Sequence, residues 1–571
     1  METISKKFTI YWFRKCQRIH DNKGLLDSSI QKNLLPIFIL DPWFIKSDKT
    51  GTNRIKFLLE SLSDLNANLK TYNSNLIILY GNPSDIFEKL AKHSENLYFE
   101  LDTEPYALDR DRKVQKICEK EGVQVHRNAG HTLLKLADLA QAGESCKNMG
   151  DFLQFIKESM IDKPLEKPDD LPSLPADYEK ILKSLKIEYS NQVPSLSEID
   201  RNENEATASL KGGETEALNI MNDYLKDKKK VNNFSKPFTS PNSLKPSTTT
   251  LSPYLKFGCL SPRLFYHNLK KVMDRNATQP PVSLVGQLFW REFFYSKSYT
   301  VKNFDKMVGN PICKQMNWER NEEIIRKWEM GQTGFPAIDA VMNQLRQEGW
   351  MHHLGRHLVA CFLTRGHLYQ HWEAGRDVFD KYLLDADYAL NNANWMWLSC
   401  SSFFSQYWKV YSPISFFQKT DKNGDFIRKY VPQLKHYPAE FIYEPHKAPI
   451  MVQKRCKCII GEDYPLPIID YKKEGAINMQ RMKQVFADSK DQSIKEEKKS
   501  ISVTPKKGKV VKEESKSNTK TIKDFMSDKN QVKKAAEEWA LGEDQNIQND
   551  KKAIHSNQNL SSKSRKKSLK Q

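Results

Sequence analysis

Four short apolar runs, at residues 8–12, 35–40, 76–80 and 97–101, alternate with helical patterns at 54–69 and 83–92. Runs that are apolar on both alternating faces suit strands buried on both sides. Strands separated by helices must pair in parallel through right-handed crossovers. This pattern predicts an α/β domain with a Rossmann-like parallel sheet over residues 1–130. The loop Gly-x-Gly-x-x-Gly is absent there, so the sheet alone names no ligand.

Beyond residue 130 the period changes. Residues 131–205 are rich in Pro, Lys and Ser, as in Lys163–Pro168, and read as a surface connector. From 206 to 486 only the 3.6-residue period recurs, at 216–228, 261–273, 283–299, 334–347, 350–365 and 371–384, which predicts an all-α domain. Residues 488–571 hold 21 Lys or Arg and 13 Asp or Glu, a net +8 of the chain's +18, with Phe525 and Trp539 the only aromatics. So little apolar material cannot form a core, and a disordered basic tail is expected over 487–571. The remaining +10 lies on the folded part and favours a polyanionic partner, nucleic acid above all.

Within the tail, Lys506–Lys509 and Arg565–Lys567 have the composition of nuclear import signals. Val532–Leu541 could form a short helix on a partner, and Ile522, Phe525 and Met526 faintly resemble the plug that docks repair proteins on a sliding clamp. Nine unpaired-looking cysteines suggest a reducing interior, and Cys456-Lys-Cys458 lacks the further ligands that zinc needs, so no metal is expected. No apolar stretch approaches the roughly 18 residues of a membrane helix, and a soluble, intracellular protein is expected.

The chemistry concentrates in two blocks, Gly349–His357 and Asp385–Trp397. On a helix His353 and His357 share one face while Arg356 turns to another, a pairing suited to proton transfer. Arg356 and Asp385 form a candidate ion pair. Upstream, Ser247–Pro253 offers hydroxyls and free backbone N–H groups to an anion at a helix start.

These blocks, with Tyr254–Pro262, resemble the flavin-binding core of the cryptochrome/photolyase family, and Trp12-Phe-Arg14 with Ile19–Asn22 resembles its antenna domain. His353 resembles the (6-4) photolyase and animal cryptochrome branch, where other photolyases carry Asn. The resemblance implies FAD held by Thr248, Thr249, Thr250, Leu251, Ser252, Arg291, Arg356, Asp385, Asp387 and Asn391, with Asn391 facing flavin N5. It implies an electron relay through Trp395, Trp372 and Trp318, with Tyr369 where animal members carry a fourth Trp. It further implies a lesion pocket built from Lys236, Gln287, Trp290, Trp397 and Tyr411, with His353 and His357 as the proton-transfer pair. A folate or deazaflavin antenna in the first domain is open.

Two activities fit this branch. One is light-driven repair of (6-4) photoproducts in DNA; the other is an animal-type cryptochrome, a circadian repressor or blue-light receptor. Lys409–Pro413 and Thr420–Gly424 look like the photolyase side, whereas Ser399–Ser402 and the long tail lean to cryptochromes. Asn392-Ala393 and Phe416–Lys419 depart from the family pattern. Expected partners are UV-damaged DNA and, through the tail, clock or clamp proteins. A monomer in the nucleus and cytoplasm is expected.

Overall fold

The computed structural model describes residues 8–501, with side chains described to residue 488. Strands β1 (Phe8–Phe13), β2 (Leu34–Leu40), β3 (Ile77–Tyr80), β4 (Ser94–Glu100), β5 (Gln124–Asn128) and β6 (Tyr189–Ser190) form one sheet in the order β5-β4-β1-β2-β3-β6. The first five pair in parallel and β6 closes the β3 edge antiparallel. The order reverses direction beside β1, which leaves a crevice at the carboxyl ends of β1 and β4.

The two faces of this sheet have different neighbours. Phe8, Ile10 and Trp12 point into a core shared with Ile37, Leu79 and Phe99. Tyr11 and Phe13, one residue out of phase, join a larger core that continues through the helices as far as Tyr464. Strand alternation therefore fuses the α/β layer to the helical body. Polar staples fix the seam. Glu214 accepts from the backbone of Ile19 (2.8 Å) and His20 (3.1 Å) and from the His20 ring (2.6 Å), while Arg18 donates to the Gly258 carbonyl at 2.9 Å. Gly258 sits at φ +70°, and a Cβ there would collide with the Lys15 carbonyl, so this contact requires glycine.

The region expected to be a surface connector is partly built into the core. Helices Leu136–Ser145 and Met149–Glu158 bury Leu139, Ala142, Phe152 and Ile156, and Gly143 lies close against the helix Leu284–Thr300, whose Lys297 donates to its carbonyl at 2.7 Å. The same stretch supplies β6. Its prolines lie between these elements, which broke the periodicity over a longer window.

The helical part follows the expected pattern with local adjustments. The segment expected to be helical at 350–365 is an α-helix His353–Cys361 that passes into a π-helical turn Phe362–Gly366, with Thr364 off helical geometry. At the C-terminus, the helix Tyr471–Ile501 continues past residue 486, so the expected unstructured tail does not begin at 487. Residues 487–501 include four Lys and two Glu and no Gly or Pro, a composition that needs no core to extend an anchored helix. The import-type signals, the 532–541 segment and the clamp-type plug lie outside the described residues. Among the described residues no helix is long and apolar enough to cross a membrane, no His, Cys, Asp and Glu side chains converge as a metal site, and all nine cysteines are free and buried.

Candidate active site

A deep cavity opens in the helical body. Its wall includes the loop Thr248–Ser252, the helix face carrying Gln287, Trp290 and Arg291, the helix start with His353, Arg356 and His357, and the segment Asp385, Asp387, Asn391 and Trp395, with Lys236 at its edge. Of the residues singled out from sequence, Trp397, Tyr411, Trp372 and Trp318 lie behind this wall. Trp397 meets Trp290 edge to face at 5.2 Å, and the Tyr411 hydroxyl lies 3.1 Å from His357 Nδ1.

One end of the cavity is strongly ionic. Arg356 grips Asp385 with two parallel bonds of 3.0 and 2.9 Å, and Ser252 donates to the same carboxylate at 2.7 Å. This fork geometry accounts for a pair that burial would otherwise penalise. Asp387 caps the helix Tyr388–Leu398 through the N–H groups of Ala389 and Leu390 and accepts from Tyr295. Lys15 and Lys256 approach it at 3.4 and 3.8 Å. Burial pushes the Asp387 carboxyl upward, but the two ammonium groups outweigh that and hold it at about 2. Lys15 also meets Asp102 (3.2 Å) and Glu104 (3.1 Å), so the α/β layer supplies part of the site's charge. Sequence reading missed Lys15, Lys256 and Tyr295. Only the Lys15 position, just beyond the end of a parallel strand, carried a signal for this, since ligands gather at strand carboxyl ends.

Arg291 spends Nη1 on Glu292 at 3.2 Å and lies over the Tyr295 ring at 4.5 Å, while its Nη2 is buried without a protein partner. An unmatched guanidinium edge beside the Thr248–Ser252 hydroxyls fits a phosphate. Thr250 holds φ +56°, turning this loop tightly, and the helix it leads into, Ser252–Phe257, has only six residues. Hydroxyls and guanidinium therefore carry more of the anion affinity than a helix dipole would. The Asn391 amide donates to the Arg376 carbonyl and to Asp380, both at 3.0 Å, which leaves its oxygen for the cavity.

The other end carries bases without acids. His353 and His357 stand at 83° with ring centroids 6.1 Å apart. Burial, together with Lys236, His352, Arg365 and Arg356, lowers His357 to about 3; His353 is likewise held well below the usual imidazole range. Burial and nearby Arg356 lower Lys236 to about 7. His352, overlooked in the sequence, packs on His353 with centroids 4.2 Å apart.

The tryptophans run outward from the wall. Trp395 is 1% exposed and Trp372 fully buried, and Gly375, on the Trp372 helix, packs directly on the Trp395 ring. Trp318 is half-buried against Tyr369 at 4.8 Å, and Arg481 of the C-terminal helix covers the Tyr369 ring at 4.6 Å.

Residues 284–484 match the family model for the FAD binding domain of DNA photolyase, and residues 9–172 match that for DNA photolyase. Cryptochrome-1 of Macaca fascicularis is 44% identical over 488 residues, covering 84% of this chain and 82% of that protein. The chain belongs to the cryptochrome/photolyase family. A cryptochrome/photolyase relative of the other kind, the (6-4)DNA photolyase of Oryza sativa subsp. japonica, is also 44% identical, over 82% of this chain and 88% of that protein. Among solved structures, a bacterial class III photolyase from Agrobacterium tumefaciens superposes with a TM-score of 0.71 at 26% identity, covering 85% of this chain and all of that one. The cryptochrome of Synechocystis sp. PCC6803 superposes with a TM-score of 0.73 at 24% identity over 84% of this chain, which bears on the fold alone. As a family member the chain carries an FAD-binding domain, and the ionic end described above has the donor set that FAD requires.

Proposed function

We propose that this protein repairs (6-4) pyrimidine-pyrimidone photoproducts in DNA under blue or near-ultraviolet light. The observation that carries this reading is the pair His353 and His357 on the wall of the same cavity as Arg356, Asp385 and Asn391. Thr248–Ser252, Arg291 and Asp387 would hold FAD, with Arg356 and Asp385 locking that end of the cavity. Reduced FAD, when bound, supplies the light-absorbing electron donor.

The remaining steps fall to the chain's own side chains. Trp290, backed by Trp397, gives a flat apolar wall for the damaged dinucleotide turned out of the duplex, and Gln287 and Lys236 provide polar edges beside it. Gln287 is oriented by its own bond to the Pro281 carbonyl at 3.0 Å. Splitting a (6-4) lesion requires a proton to move with the displaced group. His353 and His357 rest neutral because burial and Lys236 oppose their charging. A negative charge arriving on the lesion beside them reverses that balance, so the pair takes up and delivers a proton when the electron arrives. Lys236, at about 7, is a proton source at the same wall. Trp395, Trp372 and Trp318 would recharge the site by stepwise electron transfer, with Tyr369 packed against Trp318.

Damaged DNA is then the partner and the nucleus the working compartment, in keeping with the +18 charge. A second reading, a cryptochrome without repair activity, is favoured by the equal identity to Cryptochrome-1. The test is illumination of the protein with reduced FAD and an oligonucleotide carrying one (6-4) lesion, beside a cyclobutane-dimer oligonucleotide. Restoration of the first alone supports repair. Bound FAD with restoration of neither moves the cryptochrome reading forward.

A further inference from the structure

His352 does not line the cavity, yet its ring is held by a backbone bond at Nδ1 and by contact with His353, while its Nε2 is buried without a protein partner. It is 4% exposed and caps the helix His353–Cys361, its Nδ1 accepting from the Leu354 N–H at 3.1 Å. That bond fixes the tautomer, because a nitrogen that accepts carries no proton, so Nε2 bears it. The ring then lies 4.2 Å from that of His353, tilted by 36°. His353 itself has a backbone partner at Lys236, while its Nε2 is buried without a protein partner. One ring is thus pinned by a helix cap, and the next is held between it and the Lys236 backbone.

We propose that His352 is a positioning residue, a fixed plate behind the cavity wall that sets the ring orientation and tautomer of His353. The inference rests on the repair reading above. In this arrangement His353 keeps its proton on Nδ1, toward the Lys236 backbone, and presents Nε2 to the cavity as an acceptor. Three basic groups act on His353: His352 at the cap of its helix, His357 on the helix itself and Lys236 from the facing segment. Among them the plate also opposes charging, since burial and then His352 head the influences holding His353 low. A neutral, oriented imidazole is what allows proton uptake to wait for a new negative charge.

The variant His352→Asn separates these roles from simple folding. Asn supplies a side-chain oxygen for the Leu354 N–H and so keeps the helix cap, but it removes the ring. His352→Ala removes both. The FAD-loaded full chain, with ¹⁵N-labelled histidines, reports the tautomer of His353 through its two ring nitrogen shifts, with His353→Asn assigning the signals. In His352→Asn, FAD absorbance and melting temperature should stay close to wild type. The His353 signals should change to a mixture of tautomers, its titration should move upward, and the pH profile of (6-4) repair should move with it. Unchanged His353 signals in His352→Asn overturn the proposal, whatever happens to repair. If wild type repairs nothing while the His353 signals still respond to His352→Asn, the positioning role stands and the repair reading falls.

Discussion

The two ends of the cavity both carry titratable groups into the interior and reach opposite states. At the Asp387 end, carboxylates stay ionised because Lys15 and Lys256 accompany them into the interior. At the His353 end, imidazoles stay neutral because burial opposes their charging and the nearby Lys236 adds only positive charge. Burial penalises charge at both ends, and the sign of the nearest partner decides the outcome. The first end is a permanent electrostatic clamp for a cofactor. The second is a set of bases waiting for a negative charge.

The comparison breaks most visibly at Lys15. Lys15→Met leaves Asp102, Glu104 and Asp387 buried with too little positive charge, and a loss of about 3–5 kcal/mol is expected in urea unfolding of the full chain. His353→Asn and His357→Asn act at the other end. Each should lower the repair rate by roughly 100-fold or more, the range of lost acid–base catalysis, with FAD retained at wild-type stoichiometry. Arg356→Lys replaces a two-bond fork with a point charge, and FAD dissociation should quicken by about 10-fold.

Acid sharpens the contrast further. The histidines are lowered in the fold, so the unfolded chain binds more protons between the usual imidazole range and about 3, and stability falls as pH drops through that window. Asp387, lowered to about 2, contributes stability above the usual carboxylate range that is lost toward pH 2. Melting temperature against pH should therefore fall in two stages, and His357→Asn should flatten the upper one alone. The smallest effect is expected from Lys236→Met, which removes one cation and should raise the titration of His353 and His357 without altering FAD absorbance.

Much of this was legible in the sequence because the deciding signals were local. The β1 run Phe8–Phe13 announced itself by apolar character, and the spacing of His353 and His357 placed both on one helix face. Arg356 and Asp385 were recognisable as partners from their motifs. What stayed hidden depends on contacts across the chain. Nothing near Lys15 in sequence indicates Asp387, which lies more than 370 positions away, and Lys256 reads as an ordinary helix lysine. His352 received no role from the sequence because its cap bond and ring contact are not encoded in spacing. The helices at 136–145 and 149–158 were missed because each pattern is only ten residues long and they share a window with the proline-rich stretch that begins at Pro164. The C-terminal helix ran on past 486 because propensity alone extends a helix whose base is already packed, as at Met482 and Phe486.

The most direct measurement is a histidine-selective ¹⁵N NMR titration of the wild-type chain from neutral to mildly acidic pH, with His353 and His357 assigned by their Asn variants. The account predicts that both rings remain neutral well below the pH at which exposed histidines charge. Titration of either ring alongside the exposed histidines would contradict it, and with it the division of the cavity into an ionised and a neutral end.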